Sequence, residues 1–194
     1  MAEADRTKWD ARYTQGAPSA EPSEWFLAWL KTADEKLVPK SGRVLDVAGG
    51  AGRNAIWFAQ RGFDVTLVDV SAVAIKIAEQ RAKEAGVNLI TRVMDLEHEA
   101  LPDGPWDVIL QMHYLDRSLF PQYEQLLSPC GLLVIEHPTR SNLVRHEKPG
   151  AHYLLEDGEL PELCEGFIIV SHGEGWNELG RHEARLVARR FEEE

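Results

Sequence analysis

Only two cysteines, Cys130 and Cys164, occur in 194 residues. They stand too far apart to form a ligand-spaced cluster, so neither a zinc site nor a disulfide framework is suggested. Basic charge is also scarce: 21 Lys and Arg against 32 Asp and Glu leave a formal net charge of −11. Broad binding to a phosphate backbone needs clustered Lys and Arg, and this balance argues against it. No run approaches the roughly 20 apolar residues of a membrane span, and residues 1–5 carry no apolar signal core. Solenoid-period repeats are absent, and the only low-complexity segment is Glu192-Glu193-Glu194, expected to be a solvated tail. A cytoplasmic protein without membrane or nucleic-acid partners is the expectation, and no pattern in the chain speaks to its oligomeric state.

What remains is globular in composition, 44% hydrophobic and 27% charged, in a length that suits one domain with a sizeable core. Trp9, Tyr13 and the turn-rich Gly16-Ala17-Pro18-Ser19 read as an N-terminal lead-in whose aromatics either staple the chain to the core or cover a ligand. Ser23 is placed to cap a helix with apolar positions Trp25, Phe26, Trp29, Leu30, Ala33 and Leu37, close to a 3.6 period. Strands are expected over 44–47, 63–69, 89–95, 106–112 and 132–136. Helices are expected over 54–61, after Ser71, and through Leu119, Tyr123, Leu126 and Leu127. That alternation predicts a doubly wound α/β sheet, mostly parallel with right-handed crossovers. Residues 128–131 read as a turn, 137–150 as a loop or broken helix, and 156–164 as a short helix. Strands over 167–170 and 184–188 are joined too briefly for a crossover, so they should form an antiparallel hairpin. The total is seven strands.

The organising stretch is Val44 to Asn54, a buried strand ending on Asp46, then Gly49, Gly50 and Gly52, then a helix start. Glycines there let the backbone turn sharply and approach a ligand, at the carboxyl edge where open α/β sheets bind small molecules. Residues 50–55 satisfy the dinucleotide pattern G-x-G-x-x-[GA], and Asp69 lies at a usable distance for a ribose hydroxyl. Against a pyrophosphate stand three acids at successive strand ends: Asp46, Asp69 and Asp95. They suit a ligand with cationic groups, ribose hydroxyls and an adenine amine.

The segment Asp46-Val47-Ala48-Gly49-Gly50-Ala51-Gly52 resembles the D-x-G-x-G-x-G motif of class I S-adenosylmethionine-dependent methyltransferases. Ala48 replaces the first glycine, a fit that holds if its φ is negative. Cys130 stands where the turn before strand five often carries glycine. The resemblance implies that Asp46 holds the cofactor's amino group, that the Gly50 and Gly52 backbone lines its methionine moiety, and that Ala48, Gly49 and Asn54 are also cofactor-binding. It implies that Asp69 accepts from the ribose hydroxyls beside Val70, that Asp95 and Leu96 meet the adenine, and that Gln111 floors the methyl-donor pocket. S-adenosylhomocysteine would be the product. Trp9-Asp10-Ala11-Arg12-Tyr13, Gly52-Arg53-Asn54, His113-Tyr114-Leu115 and residues 154–160 are similar to the small tellurite-resistance-type and thiopurine-type members. In those, the segment carrying Trp9 and Tyr13 closes over the cofactor.

On that reading residues 1–194 form one domain: a covering segment and helix to 40, a cofactor-binding core over 41–137, a substrate lid over 138–165 and a hairpin over 166–190. Methyl transfer mostly needs alignment of donor and acceptor, and a general base only if the acceptor must lose a proton. Candidates near the methyl position are His113, Tyr114, Glu136 and His137, with Arg140 in a locally basic segment that also holds Arg145, His146 and His152. The expected acceptor is a small molecule, soft or anionic. A macromolecular acceptor and a nucleotide-binding module without methyl transfer are the alternatives.

Overall fold

A computed structural model describes residues 2–16 and 18–192. Met1, Ala17, Glu193 and Glu194, and with them parts of the expected lead-in and acidic tail, lie outside the described residues. The chain divides into two compact units, 1–103 and 104–194.

The first unit opens with a helix, not the irregular lead-in expected. It is α1, Ala2–Gln15, with Glu3 and Asp5 in its first turn and Arg12 in its last, charges that suit the helix dipole. Only Trp9 and Tyr13 are large and apolar along it, too sparse a stripe to register as a helical period. Helix α2, Glu24–Thr32, is capped by Ser23, whose Oγ accepts from the Phe26 N–H. It stops short of Leu37 because Ala33 turns extended and residues 34–37 close their own turn. Strand β1, Arg43–Val47, leads through the glycine turn into helix α3, Arg53–Ala59. Strand β2, Asp64–Asp69, and helix α4, Ala72–Glu84, follow, then the short strand β3, Ile90–Val93. Strands β1 and β2 pair in parallel, as do β2 and β3. Val44, Leu45, Val47, Leu67 and Val68 have no exposed surface, as expected of parallel strands covered on both faces. An aromatic cluster ties α2 to α3: Phe58 lies 5.7 Å from Phe26, 4.9 Å from Trp57 and 5.1 Å from Phe63.

The second unit begins with β4, Trp106–Met112, followed by helix α5, Phe120–Leu126. Strand β5 runs over Leu127–Pro138, longer than expected. The stretch 128–131 is absorbed into it as an irregularity, since Trp106 pairs with Leu127 but Val108 pairs with Leu132. Cys130 takes a φ of 64° within that irregularity. Leu127 is accordingly the first residue of β5 and not part of the helix. Short 3-10 turns cover Arg140–Val144 and Ala151–Tyr153, then comes helix α6, Glu159–Leu163. Strands β6, Ile168–Trp176, and β7, His182–Arg189, form the expected antiparallel hairpin, and β7 also pairs antiparallel with β5. The seven strands follow the order β3-β2-β1-β4-β5-β7-β6 in a mixed, mostly parallel sheet.

Candidate active site

The glycine turn of the first unit is built around two buried carboxylates. Asp46, at 1% exposure, faces Gly49 so closely that a Cβ there would lie 2.6 Å from its carboxyl carbon. Its Oδ2 is buried without a hydrogen-bond partner. Burial pushes its pKa up to about 7, against the pull of Arg53 and the Ala55 N–H, with Asp69 adding to the rise. Asp69 Oδ2 accepts from the Gly50 N–H and Oδ1 from the Ser71 N–H, both at 2.8 Å. Burial also raises its pKa, opposed first by those two N–H donors. The Asp69 carboxylate is therefore both a brace for the turn and a negative charge beside it.

Gly50 and Gly52 have φ values of 57° and 78°, which side chains rarely adopt. A Cβ on Gly50 would sit 2.2 Å from the Tyr13 hydroxyl, and one on Gly52 would sit 3.0 Å from the Ala78 methyl. Tyr13 thus lies directly on the turn, with its pKa pushed up to about 12 by burial and by the Asp69 charge. Trp9 stands one turn away, its ring 6.3 Å from that of Tyr13. Ala48 departs from expectation. Its φ is +52°, the left-handed region, so the chain keeps the glycine-like geometry of the motif with an alanine in it.

The remaining expected cofactor residues of this unit divide in two. Val70 is half-buried and Leu96 is buried beyond β3. Asn54 and Asp95 are engaged in scaffold contacts. The Asn54 Oδ1 accepts from the Ser23 N–H at 3.0 Å, joining the starts of α2 and α3. Asp95 lies two residues past β3 and caps a turn: Oδ1 accepts from the Glu97 N–H at 3.2 Å and Oδ2 meets His98 Nδ1 at 2.8 Å.

In the second unit Gln111 is fully buried, its Oε1 accepting from the Tyr123 hydroxyl at 2.5 Å and its Nε2 donating to the Tyr114 carbonyl at 2.8 Å. Glu136 accepts from Arg185 Nε at 3.1 Å, and Arg185 also bonds Glu183. His113 follows β4 with a φ of 60°, its N–H donating to the Glu136 carbonyl. His137 Nε2 donates to the Tyr153 carbonyl at 2.7 Å, which leaves Nδ1 as a buried acceptor without a partner. Burial pushes its pKa down to about 4, so the ring is neutral near pH 7. Arg140 pairs with Glu156, and the Arg145 guanidinium lies 3.9 Å over the Trp176 ring. Sequence reasoning missed the contacts of Arg185, Glu183 and Tyr123; the Arg185 partner Glu136 lies 49 residues away along the chain.

Two groups among the described residues bring metal-type ligand atoms within 4.8 Å: Asp95, Glu97 and His98, and Asp157, Glu174 and His182. Their side chains are occupied with local hydrogen bonds, as Asp95 is with Glu97 and Asp157 is with Ser141.

The glycine turn thus brings together an orphaned carboxylate oxygen on Asp46 and a second buried acid, Asp69, at the next strand end. Residues 44–131 match the methyltransferase domain family. That stretch spans the glycine turn and both buried carboxylates described above. Magnesium protoporphyrin IX methyltransferase (ChlM) from Synechocystis PCC 6803, solved with bound SAH, has a similar structure. Its TM-score is 0.71 at 18% identity, covering 97% of this chain and 99% of that one. TehB from Haemophilus influenzae gives a TM-score of 0.66 at 21% identity over 76% of this chain and 57% of that one. Ribosomal protein L11 methyltransferase from Thermus thermophilus is 33% identical over 149 residues, 74% of this chain and 56% of that protein. The chain spans between about half and three-fifths of the length of the curated relatives it matches.

Proposed function

We propose that this protein transfers a methyl group from S-adenosylmethionine to a small-molecule acceptor, soft or anionic, such as a thiol or a chalcogen oxyanion. The observation that carries the reading is the pairing of Asp46 and Asp69 around the glycine turn. Asp46 would take the cofactor's ammonium on its unpartnered Oδ2, and the methionine chain would lie along the glycine turn beside Tyr13, whose hydroxyl rests on Gly50. Asp69 keeps lone pairs for the ribose hydroxyls beyond its two N–H bonds. When bound, the cofactor would supply a methyl group already activated for in-line transfer by its sulfonium. The protein's share is alignment and exclusion of water. His113, Tyr114 and Glu136 would border the acceptor, and the segment carrying Arg140 and Arg145 would draw an anionic one.

A macromolecular acceptor is the second reading, favoured by the Thermus relative, which by its name acts on ribosomal protein L11. Methyl transfer from labelled S-adenosylmethionine to thiols, chalcogen oxyanions and extracted protein separates the two. Labelling of a thiol or oxyanion with an acceptor KM raised by Arg140→Ala and Arg145→Ala, at unchanged cofactor affinity, is the expected result. Label appearing in protein alone would overturn the small-molecule reading.

A further inference from the structure

Helix α1 is fastened to the cofactor cradle through one residue that the glycine motif does not contain. Asp10 Oδ1 accepts from the Ser71 hydroxyl at 2.6 Å and from the Val73 N–H at 3.2 Å. Ser71 is fully buried at the start of α4, where its Oγ accepts from the Ala74 N–H and its own N–H donates to Asp69. Asp69 in turn holds the Gly50 N–H. Asp10 and Tyr13 are three residues apart on α1 and so share one helix face, and the Tyr13 hydroxyl rests on Gly50. The contacts therefore close a ring: Asp10, Ser71, Asp69, Gly50, Tyr13, and back along α1 to Asp10.

We propose that Asp10 is a positioning residue that latches α1 across the glycine turn, so that docking of α1 and occupancy of the cofactor site are energetically coupled. This rests on the cofactor reading above. Three of the ring's five members, Asp69, Gly50 and Tyr13, are the groups assigned to the cofactor, and a ligand that orders them orders the seat of α1. The latch works in the other direction as well: release of Asp10 from Ser71 frees Tyr13 to lift, and a bound nucleoside leaves by that route. By linkage, whatever α1 docking adds to cofactor affinity, the cofactor adds to α1 docking.

Hydrogen exchange of residues 2–15 and the dissociation rate of S-adenosylhomocysteine, measured on the full chain, test this. In the wild type S-adenosylhomocysteine slows exchange along α1. In Asp10→Ala that slowing is lost and dissociation is roughly tenfold faster, the scale of losing a charge-assisted hydrogen bond. Asp10→Asn keeps an acceptor for Ser71 and Val73 and restores most of the protection. A structural contact alone would lower stability without altering the ligand's effect on α1. If the wild type binds S-adenosylhomocysteine with no change in α1 exchange, or Asp10→Ala keeps the wild-type rate, the latch is overturned while the cofactor site stands. If the wild type does not bind S-adenosylhomocysteine, the cofactor reading falls, and the latch with it.

Discussion

Ala48 holds a left-handed backbone conformation, with φ at +52°, between a strand and a turn that fix it from both sides. A side chain in that region costs about 1–2 kcal/mol relative to glycine. Ala48→Gly should therefore raise the urea midpoint by the equivalent of roughly 1 kcal/mol, after the extra entropy glycine loses on folding; a lowered midpoint would contradict the strain. Asp46 gives a pH prediction. A carboxylate raised to about 7 in the free protein holds a proton that a cationic ligand must displace. Cofactor affinity should thus be full above pH 7 and fall as pH drops below it, with proton release in calorimetry at pH 6; Asp46→Asn should remove both effects. The pKa shift of His137 runs the other way and bears on stability. Its pKa is lowered to about 4, so the unfolded chain, titrating near 6.5, binds more protons between those values. That contribution to stability is present above pH 6.5 and lost as pH falls toward 4. Chemical denaturation across that window, with His137→Phe as the control, reads it. The placement of Asp46 and Asp69 around the glycine turn was legible from the sequence, because the turn and the strand ends mark them locally. The pairing of Glu136 with Arg185 was not, since 49 residues separate the partners and only the pairing of β5 with β7 brings them together.

Elements with strong local signals came out where the sequence placed them. Ser23, Ser71, Gly62 and Gly86 punctuate helices through caps and left-handed turns that need no tertiary context. The misreadings fall where tertiary contacts override a local cue. Residues 128–131 have turn composition, yet the pairing of Leu127 and Leu132 with β4 on either side carries β5 across them as an irregularity. Helix α1 has little apolar periodicity and is seated by Asp10 and Tyr13 against the turn and α4. Helix α2 depends on the aromatic cluster at α3. Phe58 is 3% exposed among three other rings, and Phe58→Ala should destabilise the chain by about 3–5 kcal/mol. A loss below about 1 kcal/mol would mean that the rings there are not a packed core.

For the whole molecule, the alternation of strands and helices leads to the expectation of a mostly parallel sheet of seven strands ending in an antiparallel hairpin. The mixed seven-stranded sheet matches that expectation in strand number and in the antiparallel hairpin. The segment between β5 and β6 follows no motif spacing, so the sequence says far less about an acceptor than about the glycine turn. Among the described residues no helix is long and apolar enough to cross a membrane. The central claim is that the turn between Asp46 and Asp69 binds S-adenosylmethionine, and calorimetry with S-adenosylhomocysteine on the wild type and on Asp69→Ala tests it most directly. Micromolar binding, weakened at least tenfold by the substitution (about 1.4 kcal/mol), is the predicted result. Unchanged affinity in Asp69→Ala, or binding of a nicotinamide dinucleotide in place of S-adenosylhomocysteine, would contradict it.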